Sequence, residues 1–197
     1  MGCLLLMGAR PATVTPQPEQ QLERPSLAGQ LLVASPNIGD PRFFHTVILL
    51  LRHTKDGAFG IVINRPAAKV SLAKLLEGLG EKDKAADGDV DLYAGGPVQP
   101  EAGFVIHSAE YSRTGTVPVN GLVAVTSSVE VFRDIGHRKG PSKSLIAFGY
   151  AGWGPNQLEF ELSHDAWFTA MADPKLIFDE QRDRLWDAAM ERRLRAL

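Results

Sequence analysis

Two glycine-rich stretches and one polar strand end carry the groups best suited to bind a ligand. In LYAGGPVQPEAGFVIH, Leu92–His107, the pair Gly95-Gly96 before Pro97 can turn sharply and expose backbone amides, which can hold an anion. A phosphate loop would need GxxxxGK[ST] or GxGxxG opening a helix. GGPV has neither, and the residues after it read as a strand. The first reading is therefore a structural turn and the second a groove wall for a ligand or partner. In GYAGWGPNQ, Gly152, Trp153 and Gln157 set an aromatic ring and an amide beside pliable backbone, a recognition surface as much as a packing one. Asn64-Arg65-Pro66 adds an amide fit to close a turn and a guanidinium fit to bind a carboxylate.

Catalytic chemistry finds less support. The five histidines, His45, His53, His107, His137 and His164, are scattered, with no HExxH and no spacing that suits zinc. His45 beside an apolar run and His107 at a strand end read as structural hydrogen-bonding residues. Ser108 follows His107 directly, but neighbouring strand side chains point to opposite faces and form no dyad. There is no GxSxG, and Ser127-x-x-Glu130 reads as a helix capping box. No catalytic, cofactor-binding or metal-binding residue is assigned, and no cofactor is predicted. An enzyme with a histidine and a carboxylate brought together by folding is the alternative.

Composition narrows the function classes further. A net charge of −2 and a pI near 6.2 give no overall attraction to nucleic acid or acidic membranes. Cys3 is the single cysteine, which excludes an intrachain disulfide and fits a reducing compartment. The apolar run Leu4–Met7 is too short for a signal core or a membrane span. The prolines and glutamines that follow predict a flexible leader over residues 1–26 and one domain over 27–197.

The elements that position these residues follow from periodicity. Ordered structure is expected to begin at GQLLVASP, where a short apolar run meets Pro36. RFFHTVILLLRH is too continuously apolar for a half-wet strand and predicts a central one, paired through Asp56-Gly57 with GAFGIVINRP, which Arg65-Pro66 should stop. SLAKLLEGL has leucines at helical spacing between a Ser71 cap and Gly80. Further strands are expected at 90–94, 103–107 and 122–126, a short helix up to about Ile135, and in SLIAFGYAGW a buried strand followed by a glycine-rich bend. In QLEFEL, Leu158, Phe160 and Leu162 alternate with Glu159 and Glu161, which predicts a strand with one core face and one wet face. Asp179 should cap a last helix; from there to Arg195 five acidic and five basic residues balance, unlike a nucleic-acid-binding helix. Hairpins and inserted helices without a βαβ rhythm indicate an α+β fold.

Taken in order, ASPNIGDPRFFHTVILL, GAFGIVINRP, YAGGPV…GFVIH, LVAVTSSVEVF, AFGYAGWGPNQLEFEL and KLIFD…RLWDAAM resemble the YqgE/AlgH family, also called UPF0301, over about residues 29–190. The resemblance implies an α+β fold in which a bifurcated, mostly antiparallel β-sheet folds into a pseudo-barrel with peripheral helices, and a bacterial, cytoplasmic protein. One class of members has been called a regulator of alginate transcription, and the family brings no catalytic assignment. Asn156 stands where the family commonly has glycine, and SHDAW replaces an ENAW-like stretch, so His164 inherits no role. The sequence thus predicts a non-enzymatic binding or regulatory module for an unidentified protein or small ligand, with direct DNA binding disfavoured by the absence of a helix-turn-helix pattern. The predicted surface is Asn64, Arg65, Gly95, Gly96, Gly152, Trp153 and Gln157.

Overall fold

The structure is a computed structural model and describes residues 25–81, 83, 85–178 and 181–194. The leader up to residue 24, the cap expected of Asp179 and the helical position of Arg195 lie outside the described residues. Eleven strands form one branched sheet: β1 (Gln30–Ala34), β2 (Val47–Thr54), β3 (Gly57–Val62), β4 (Pro66–Ser71), β5 (Asp89–Ala94), β6 (Val98–Ser108), β7 (Val117–Pro118), β8 (Val123–Thr126), β9 (Ser144–Trp153), β10 (Trp167–Met171) and β11 (Arg193–Leu194). The helices are α1 (Leu72–Gly78), α2 (Val129–Gly136), α3 (Gln157–Ser163), α4 (Pro174–Ile177) and α5 (Leu185–Glu191).

Strand order along the main path is β11-β10-β1-β2-β3-β9-β6-β8-β7, with β4 and β5 branching from β9. The branch is made within β9. Its first half lies between β6, antiparallel, and β5, parallel; its last residues, Ala151–Trp153, turn to pair with Gly60–Ala58 of β3. Gly95 fills the gap between the diverging strands, donating its N–H to Phe148 O (2.7 Å) while its carbonyl accepts from Val62 N (2.8 Å). Gly96 and Gly149 let the two segments touch: a Cβ on Gly96 would lie 2.1 Å from the Tyr150 carbonyl carbon, and one on Gly149 2.4 Å from Gly96 O. Gly149 also has φ +78°, a conformation open to glycine at no steric cost.

The sheet curls into a half-barrel with core on both sides. Leu31, Val33, Val47, Leu49, Ile61 and Ile63 face one way, against Ile106, Val125 and Leu145 of the curled-over strands and against α4 and α5. Leu32, Ala34, Ile48, Leu50 and Val62 face the other way, under Leu158 of α3, Trp153 and Trp167. Burial on both faces is why VILLL is continuously apolar. A third cluster packs α1 and α2 on the outer side of β6 and β9, through Leu72, Leu76, Phe132, Val105 and Ile146.

Four local expectations are corrected. QLEFEL forms α3, not a strand: Leu158 and Leu162 satisfy helical spacing as well as alternation, and both pack on the core while Phe160 is left 63 % exposed. Pro66 begins β4 rather than ending a strand run, because β4 pairs only with β5 and an edge strand tolerates a missing N–H. The helix after Thr126 takes Ser128 as N-cap with no side-chain capping bond, so the Ser127 box does not form. Strand β6 runs well beyond 103–107, and β4, β7, β10, β11 and α4 were not foreseen.

Candidate functional site

A cleft of about 390 Å³ opens between the loop after β1, the end of β9 and α3. Its loop wall is a short 3-10 turn, Pro41–Phe43, started by proline and capped by Asp40. The Asp40 carboxylate accepts from Arg42 N (2.9 Å), Nε (3.1 Å) and Nη2 (2.7 Å), and these bonds hold its pKa below the usual aspartate value. Asn64 and Arg65 brace the next residues. Asn64 Oδ1 accepts from Val47 N (2.9 Å) and its Nδ2 donates to His45 O (2.8 Å), while Arg65 Nη2 donates to Phe44 O (2.8 Å) and Thr46 Oγ1 (2.9 Å).

The opposite wall is set by α3. Asn156 enters the helix in the left-handed region (φ 59°), and Gln157 Oε1 accepts from Gly154 N at 3.0 Å, closing the turn. Helical geometry then puts Gln157 and Glu161 on one face. Gln157 Nε2 donates to Glu161 Oε1 (2.9 Å); Trp153 Nε1 and Trp167 Nε1 both donate to Glu161 Oε2 (2.9 and 2.7 Å). The rings form two edge-to-face pairs, Trp153 with Trp167 at 5.9 Å and Phe43 with Trp167 at 5.4 Å. A carboxylate has about four acceptor positions. Three are filled by neutral donors here, so Glu161 keeps one further acceptor position on Oε1.

Of the residues predicted from sequence, Gly152, Trp153 and Gln157 line this cleft together. Asn64 and Arg65 stand behind its loop wall, and Gly95 and Gly96 lie at the sheet branch, just before Pro97 and Val98 of the cleft. Glu161, Asp40, Arg42, Phe43 and Trp167 are the residues that sequence reasoning missed at this site. The signal for Glu161 was present as the i,i+4 pair Gln157/Glu161, hidden by the choice of a period of two.

The histidines are structural ties. His53 Nδ1 accepts from Leu27 N (3.0 Å), so its Nε2 carries the proton toward Glu159 Oε1 at 2.9 Å. With both nitrogens engaged, His53 has no lone pair for a substrate. His137 pairs with Asp83 at 2.9 Å. His107 is fully buried; its Nδ1 donates to Ser108 O (3.0 Å) and its Nε2 takes the Thr126 hydroxyl (2.9 Å). Thr126 in turn meets Thr116 (2.7 Å), whose oxygen accepts from Arg113 N (2.9 Å), so every bond in the chain runs one way. His45 stacks between Phe44 and Trp186, with centroids 4.0 and 4.1 Å away. Ser108 Oγ bonds Glu110 and Ser142 rather than any histidine. Among the described residues no group of three His, Cys, Asp or Glu could hold a metal, and no helix is long and apolar enough to cross a membrane.

A branched, mostly antiparallel sheet curled into a half-barrel, with an aromatic-walled cleft against a short helix, defines an α+β half-barrel fold. Comparison gives it a family: residues 31–195 match the model described as AlgH-like (DUF179), and the chain belongs to that family. A UPF0301 protein of Sphingopyxis alaskensis is 44% identical over 161 residues, covering 82% of this chain and 86% of the relative. Another from Jannaschia sp. is 40% identical over 167 residues, covering 84% and 87%. The solution structure of AlgH from Pseudomonas aeruginosa matches with a TM-score of 0.74 at 40% identity, over 91% of this chain and 92% of that one. A Corynebacterium diphtheriae protein at 20% identity shares the fold, with a TM-score of 0.68 over 86% and 87% of the two chains.

Proposed function

We propose that this protein is a non-enzymatic binding module of the cytoplasm whose cleft takes a cationic group, an ammonium or guanidinium, from a protein partner or a small ligand. The observation that carries this reading is the clamping of Glu161. Two indoles and one amide fix its carboxylate between aromatic rings with no counter-cation among the described residues, which is the chemistry of a cation receptor. A general base would need a proton-accepting position aimed at a reacting group and a nucleophile or water-activating partner beside it. Glu161 keeps one acceptor position, but among the described residues that line the cleft no nucleophilic side chain stands beside it, and its neighbours serve to orient it. Any regulatory role, including an indirect effect on transcription, would follow from the partner that occupies the cleft.

The test is a titration with butylguanidinium and choline, read at the indole N–H resonances of Trp153 and Trp167, with butyrate as the anionic control. Both cations should shift the two indoles, and Glu161→Gln should weaken them at least tenfold, about 1.4 kcal/mol. Unmoved indoles at millimolar cation, or equal shifts with butyrate, would reject the cation-receptor reading.

A further inference from the structure

We propose a second binding site, independent of the cleft, for a small monocarboxylic acid with an apolar body. It is a cavity of about 450 Å³ lined from β2, β3, β6, β7, β8 and β9, within the range of small-molecule sites. Its floor is apolar: Leu51, Phe59, Phe104, Val119 and Val125 all belong to or pack on the barrel core. Phe59, Phe104 and Tyr150 form an aromatic triangle there, with centroid separations of 4.6, 5.7 and 6.3 Å.

Two backbone irregularities bring polar groups to this apolar floor. In β2, Leu50 pairs with Gly60 and Arg52 with Phe59, which leaves Leu51 as an extra, unpaired residue. Adjacent residues of a regular strand face opposite ways, yet Leu51 and Arg52 both line the cavity, as a bulge that re-aims a side chain allows. The second irregularity lies in β6, where the register with β9 breaks between Val98 and Gly103 and Gln99 takes φ 45°. A glutamine in the left-handed region costs about 1–2 kcal/mol, a strain that clusters at binding sites. Gln99 too lines the cavity.

The polar groups at the rim are all unspent. Among the described residues the side chains of Arg52, Gln99 and Ser127 and the Tyr150 hydroxyl make no hydrogen bond, and Arg52 has no ion-pair partner. Arg52 offers a planar fork matched to a carboxylate, and the other three can complete its shell. With Arg52 the one cation lining the cavity among the described residues, a singly charged head is balanced, whereas a doubly charged phosphate monoester would keep an uncompensated charge beside phenyl rings. The body of the ligand would displace water from the Phe59, Phe104 and Tyr150 faces.

Octanoate, 1-octanol and octyl phosphate titrated into the full chain, followed by NMR of the aromatic side chains, test the assignment. Octanoate should shift Phe59, Phe104 and Tyr150 and bind at least tenfold more tightly than octanol. Arg52→Gln should erase that difference, and Val117→Trp, which fills the cavity from its exposed wall, should abolish octanoate binding with Arg52 intact. No shift with octanoate, equal binding of octanoate and octanol that ignores Arg52→Gln, or tighter binding of octyl phosphate would each overturn the proposal.

Discussion

The Glu161 cleft and the Arg52 cavity lie on opposite faces of one sheet and share a backbone, yet they are prepared in opposite ways. Val98 lines the cleft and Gln99 the cavity; Trp153 lines the cleft and Tyr150 the cavity. In the cleft, polar groups are bound to one another before any ligand arrives. In the cavity the strands are bent into place, and the polar groups have no side-chain hydrogen bond among the described residues. Internal bonding fixes geometry but occupies most of the recognition capacity; backbone distortion keeps the capacity and stores the cost in the fold. The two sites should therefore respond differently to the loss of a polar side chain.

The comparison fails for both sites together if the branch is broken. Gly149→Ala places a Cβ against Gly96 O in a left-handed backbone, and we expect about 4 kcal/mol or more of lost stability, read by denaturant unfolding. Within the cleft, Glu161→Gln turns an amide N–H₂ toward at least one of three donors. It should cost about 1–3 kcal/mol in the same measurement, besides its effect on cations. Arg65→Ala removes two bonds to the loop wall and should cost about 1 kcal/mol while weakening cation binding, because Asp40, Arg42 and Phe43 lose their brace. In the cavity, Arg52→Gln should stay within about 0.5 kcal/mol of the parent, since no bond is lost. A destabilisation by Arg52→Gln as large as that of Glu161→Gln would erase the distinction between the sites.

Much of the scaffold was legible in the sequence. The β2–β3 hairpin and α1 with its Ser71 cap each followed from one unambiguous period or turn, and the apolar start of β9 was read as a strand, although its glycines continue the strand to Trp153 where a bend was expected. What escaped had two physical causes. In QLEFEL two periods fit one short string, and only the packing of Leu158 and Leu162 chooses between them; that single choice hid Glu161. Arg52 was hidden because a bulge depends on the partner strand, and nothing in LLLRH announces that Phe59 will meet two residues instead of one. The glycines of GGPV were legible as turn residues, but their task of letting this segment lie directly against β9 where β9 leaves for β3 required the register of a strand some fifty residues away.

The placement of β1 also has a consequence in time. It pairs with β2 at once, but its other edge waits for β10, with Gln30 opposite Met171. Synthesis at 5–20 residues per second separates β3 from β10 by roughly 5–20 s. For that interval a three-strand unit apolar on both faces emerges from the ribosome with its covering helices unmade, so the nascent chain is a natural client for a holding chaperone. A stall placed after Val62 would lengthen that exposure, and one placed after Met171 would not.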